Sequence, residues 1–126
     1  MQDLDANVKN AVAFYRAAYE GTPRDAVERY VGGEYIQHNP IVGDGKAPFI
    51  EYFERMAVEY PEKSIEFVRS VAQGNLVALH THQTWPGGDE YVTMDFFRFD
   101  EDGKIVEHWD SMQQIPKASV HGNKMY

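Results

Sequence analysis

The hydrophobic period of this chain changes once, at Ser64, and that change restricts the fold more than any other feature. Before it, apolar residues recur at spacings of three and four, the mark of helices with one buried face. Leu4, Val8, Ala11, Val12, Tyr15, Ala18 and Tyr19 form the first such stripe, which Gly21 stops. Thr22-Pro23 then reads as an N-cap followed by proline at the first helical position. This opens a short second helix with Ala26, Val27, Tyr30 and Val31 facing inward, ended by Gly32-Gly33. Residues 34–40 (EYIQHNP) read as a short extended segment, because the residue before Pro40 is biased away from helix. A third helix spans roughly 46–60, with Phe49, Ile50, Phe53 and Met56 on one stripe.

After Ser64 the alternation is that of strands: 64–72, 76–85, 91–99 and 104–112. They are separated by Gln73-Gly74-Asn75, by 86–90 (PGGDE) and by 100–103 (DEDG). Helices first and an antiparallel meander after give an α+β domain covering 1–126, with the tail from Ile115 loose or docked on a neighbour. Neither face of the strands is cleanly polar, whereas a half-solvated sheet alternates cleanly. Both faces are therefore expected to be covered, one by the helices and the other by a second copy of the chain, a homodimer.

Composition removes several classes of function. The net charge of −8 argues against nucleic acid or an anionic membrane as partner. The absence of cysteine excludes disulfides, thiolate metal sites and thiol nucleophiles. The N-terminal stretch lacks a signal pattern, and no apolar run reaches the ~18–20 residues of a membrane span. A cytoplasmic protein is the expectation.

The hairpin 91–113 is apolar yet holds Asp95, Arg98, Glu107, His108 and Asp110. Ionisable groups in a packed sheet must be solvated, paired or functional. Arg98 and Glu107 read as a structural cross-strand ion pair. By parity His108 goes with Asp110, and Trp109 with Glu107, unless a β-bulge intervenes. A metal set could be drawn from His38, His80, His82 and Asp95, although a strand His-x-His alone is a weak signal.

The segments YIQHNP (35–40), DGKAPFIEYF (44–53) and MDFFRFDEDGKIVEHWD (94–110), with the HxH at 80–82, resemble the SnoaL-like branch of the nuclear transport factor 2-like superfamily. The resemblance implies a cone-shaped α+β barrel, a curved antiparallel sheet wrapped around three helices with a cavity open at one end. It implies acid/base chemistry without metal or cofactor on a small apolar carbonyl compound: aldol cyclisation, isomerisation or elimination. Carried over by motif, Asp95 is the base, and His82 with His80 carries protons or hydrogen-bonds the developing enolate. His38 and Asn39 position the substrate. Asp110 matches an acidic residue of the epoxide hydrolase-like relatives, but His80 and His82 stand about where those relatives have an Arg and an Asp, which argues against epoxide hydrolysis. Phe53, Phe97 and Trp109 would wall the pocket. The fold alone does not separate an enzyme from a non-catalytic small-ligand-binding domain.

Overall fold

The computed structural model describes residues 2–126. Helix α1, Leu4–Tyr19, starts where the Asp3 carboxylate accepts the Ala6 N–H at 3.0 Å. It ends at Gly21, whose φ of 100° is open to glycine at little cost. Helix α2, Pro23–Tyr30, has proline in its first turn, and α3 spans Lys46–Glu59. The strands are β1, Val31–Gln37; β2, Ser64–Gln73; β3, Leu76–Thr84; β4, Glu90–Phe99; and β5, Ile105–Gln114. They form one curved, unclosed sheet in the order β1-β5-β4-β3-β2.

Two features differ from the sequence reading. Val31, Gly32 and Gly33 belong to β1 rather than to the end of α2. The first strand also crosses the domain to pair in parallel with the last, so the sheet is not purely antiparallel. Gly32 is needed where these strands approach: a Cβ there would lie 2.7 Å from an Asp100 carboxylate oxygen and 2.9 Å from a Val106 methyl. The helices cover the inner face. Phe14 stacks on Phe49 at 5.1 Å and meets Phe97 edge-on at 6.0 Å. Ala11, Ala18, Leu79, Phe99 and Ile105 complete a core with at most 1% of each exposed. Burial of this kind contributes about 1.5–3 kcal/mol per large side chain.

The opposite, outer face carries Val71, Ala78, Phe96 and Trp109 in one cross-strand row. Val71, Met94 and Phe96 remain 65%, 49% and 47% exposed. The tail does not hang loose among the described residues. It leaves β5 with the Ile115 N–H bonded to the Glu90 carbonyl and returns over this outer face as far as Tyr126, which stacks on His82 at 3.7 Å. No described helix is long and apolar enough to cross a membrane.

Candidate active site

The tight turn at Asp100–Gly103 sets the register of β4 and β5, with Arg98 opposite Glu107 and, further along, Phe97 opposite His108 and Asp95 opposite Asp110. Residues directly opposite in an antiparallel pair share a face. Asp95, His108 and Asp110 therefore all point inward, toward the helices. A bulge between Arg98 and Phe99 lies on the turn side of these pairs and leaves them in phase.

Asp95 is fully buried. One carboxylate oxygen bonds Nε2 of His108 at 2.8 Å, and the other accepts the Thr93 hydroxyl, which also bonds Thr81. Burial raises the Asp95 pKa, against the hydrogen bond and the charge of His108, which pull it down. On its other side His108 meets the Gln37 side-chain oxygen through Nδ1 at 2.8 Å. That oxygen also accepts the backbone N–H groups of His38 and Asn39, each at 3.1 Å. Two backbone donors fix which end of the Gln37 amide faces inward, so Nδ1 of His108 must carry a proton. A single proton then lies on the axis between Nε2 and Asp95.

Asp110 stands beside this pair. Its carboxylate accepts the Asn39 side-chain N–H at 3.0 Å, and Asn39 is itself held by the Ile41 N–H at 2.9 Å. One donor atom from each of Asp95, His108 and Asp110 lies within 4.8 Å of the others, a spacing that would suit a metal ion. Asp95 and His108, however, direct their facing atoms at each other, which leaves Asp110 as the one open ligand.

A slim cavity opens in front of Asp110 and His108, with about 40 Å³ open to the centre of a water-sized sphere. Phe53, Phe97 and Asn39 line it as the sequence suggests, as do Gln37, Gln83 and Tyr35. The Tyr35 ring stacks parallel to His108, and its buried hydroxyl has no hydrogen-bond partner among the described residues, although the Gln37 side chain lies nearby. Burial first, and Asp95 second, hold the Tyr15 and Tyr35 hydroxyls well above the usual tyrosine range, so both are donors at any ordinary pH.

Several residues singled out from the sequence lie elsewhere. Asp95 does not reach the cavity surface; His108 stands between them. His80 and His82 project from the outer face. His80 donates to the Met125 carbonyl at 2.9 Å, and His82 bonds Glu90 at 2.7 Å. The reason is register: Leu79 is opposite Asp95 and His80 opposite Met94, so the odd-numbered residues of β3 face inward with Asp95. His38 and Trp109 also lie outside, stacked at 4.9 Å. His38 bonds Glu107 at 2.7 Å, and Arg98 bonds the same carboxylate at 2.7 Å. Together they hold Glu107 below the usual carboxylate range, with His38 the larger cause. The proposed metal set of His38, His80, His82 and Asp95 is thus divided between the two faces. Sequence reasoning left out Gln37 and Tyr35 as site residues; His108 entered it by parity, grouped with Asp110 as a second candidate for the cavity rim.

Solved structures share this fold. TsrD from Streptomyces laurentii is 22% identical, with a TM-score of 0.74 over 89% of this chain and 91% of that one. A candidate polyketide cyclase from Acidithiobacillus ferrooxidans is 17% identical, with a TM-score of 0.73 over 89% and 91%. A candidate isomerase of the SnoaL-like family from Agrobacterium tumefaciens is 17% identical, with a TM-score of 0.69 over 87% and 99%. Among curated proteins none matches the chain. The SnoaL-like domain matches residues 11–108, which include every strand as far as His108, and the chain belongs to that family.

Proposed function

We propose that the cavity performs acid/base chemistry on a small carbonyl compound, with Asp110 as the base. The observation that carries this is the convergence, in one cavity, of a carboxylate with an open oxygen, a buried imidazole–carboxylate pair and a phenol with no partner. The C–H bond α to the carbonyl breaks, its proton passes to Asp110, and the electron pair moves onto the carbonyl oxygen. Tyr35 donates a hydrogen bond to that oxygen, which bears most charge in the transition state. Asp110 keeps the proton and returns it to the product or the leaving group, while the His108–Asp95 pair beside it fixes the polar end of the cavity. The enolate then closes on a second carbonyl, is reprotonated at another carbon or expels a β-substituent. Neighbours described as a candidate cyclase and a candidate isomerase support this range.

The test is protein-dependent exchange of α-protons in D₂O, followed by proton NMR over a panel of small ketones and 1,3-dicarbonyls. Asp110→Asn should remove the exchange while the fold is kept. Unchanged exchange in that variant would rule Asp110 out as the base. The rival reading, a non-catalytic binding domain, draws on the fact that both His108 nitrogens already have partners inside the protein. It predicts ligands that bind without any α-exchange.

A second copy of the chain is the proposed partner for the outer face. The exposed Val71, Met94 and Phe96 are the apolar surface it would cover. A light-scattering mass of 14.5 kDa at micromolar concentration would refute the dimer.

A further inference from the structure

Two polar groups that line the cavity, both beside the Tyr19 ring, are left unused by the acid/base chemistry. Lys63, between α3 and β2, is the one cation among the residues lining the cavity. Its ammonium lies 4.9 Å from the centre of the Tyr19 ring, and it joins no ion pair among the described residues. Trp85, directly after β3, meets the same tyrosine ring edge-on at 6.5 Å and packs on Tyr60 at 5.1 Å. Its Nε1–H is buried and has no acceptor among the described residues. A buried donor left unpaired is costly, and an occupant that brings an acceptor recovers that loss.

The position of these groups is fixed relative to the reactive end. Tyr19 donates to the Gln83 side-chain oxygen at 3.1 Å and meets Tyr15 at 6.3 Å; Tyr15 in turn meets His108 at 6.3 Å. Two aromatic rings therefore separate His108 from Lys63 and Trp85 along one wall. Partial burial lowers the Lys63 pKa, the mark of a cation short of solvation and without a counter-ion.

We propose that Lys63 and the Trp85 indole N–H form a subsite for a carboxylate of the substrate, which enters with that group here and its enolisable carbonyl toward Asp110. A carboxylate matches the donors present, because one charge and two oxygens meet one cation and one N–H. A phosphate would leave oxygens unpaired. The carboxylates of Asp95 and Asp110 repel an anion from the far end, so the orientation is single. The carbonyl half of this statement rests on the acid/base reading above; the carboxylate half is tested without turnover.

The test uses ¹⁵N-labelled protein, in which Trp85 and Trp109 give the two indole signals. It is titrated with 3-phenylpropionate and, separately, with 3-phenylpropionamide. The Trp85 indole proton should move downfield with the acid while Trp109, on the outer face, stays. The amide should bind at least tenfold more weakly. Lys63→Met, which keeps the aliphatic stem over Tyr19, should weaken the acid at least tenfold and leave the amide unchanged. Lys63→Arg should restore most of the difference, and Asp110→Asn should bind the acid at least as well as the wild type. The subsite is overturned if acid and amide bind equally, if Lys63→Met has no effect, or if Trp85 does not respond. Unchanged α-exchange in Asp110→Asn with the carboxylate preference intact would sink the acid/base reading alone.

Discussion

Replacing Asp95 separates its two roles, packing and charge. Asp95→Asn preserves the shape and can keep both partners. The new amide N–H donates to Nε2 of His108, and the amide oxygen accepts from Thr93, which bond the carboxylate in the wild type. Its cost should be about 1 kcal/mol, the net value of an ordinary buried hydrogen bond. Asp95→Ala instead leaves Nε2 of His108 buried without a partner, while Thr93 still has Thr81. Removing one member of a buried pair costs about 3–5 kcal/mol. Urea unfolding followed by circular dichroism should therefore rank wild type, Asn and Ala in that order, with the larger gap between Asn and Ala. The pH dependence carries the sign. Burial raises the folded pKa of Asp95 above its ordinary value of 3.8. A carboxyl raised in this way adds stability that is fully present below the ordinary value and lost as pH climbs through the raised one. The wild type should therefore gain on Asp95→Asn as pH falls from the raised value toward 3.8. The opposite slope, with the Asn variant gaining in acid, would mean that the ion pair with His108 outweighs burial, and the reasoning would be refuted.

Other substitutions address the surroundings. Asn39→Ala removes the bond that aims Asp110, and α-exchange should fall on the order of 10–100-fold with stability nearly unchanged, as judged by proton NMR and thermal melts. His82→Ala lies on the outer face, so exchange should stay at the wild-type rate while amide protection across residues 123–126 drops in hydrogen exchange. Gly32→Ala pushes a methyl against Asp100 and Val106 and should cost about 1–3 kcal/mol in urea unfolding.

Local patterns made the elements legible, because period and punctuation act over a few residues. Asp3, Gly21 and Pro23 mark helix ends, and the DEDG turn marks the last hairpin. The relation between strands was harder to read. Whether His80 or Leu79 shares a face with Asp95 depends on the register across the 86–89 loop, where one residue more or less would exchange the faces. Asp110 and Asn39 were found because their motif places them, and His108 by parity within one tight hairpin. Gln37 and Tyr35 escaped because their roles depend on β1 lying beside β5, a pairing that no local signal encodes.

That parallel pairing also decides when the site can exist. The Gln37–His108 and Asn39–Asp110 bonds each join residues 71 positions apart. Contacts so distant in sequence close late, after the loop entropy between them has been met. A chain that has formed its helices and the β2–β3–β4 meander would hold much of the core yet leave Asp110, the proposed base, unoriented. Because β1 is an edge strand, its release would also remove the Gln37 and Asn39 bonds while the aromatic centre stays packed. The proposed reactivity would thus be the last property gained on folding and the first lost on fraying.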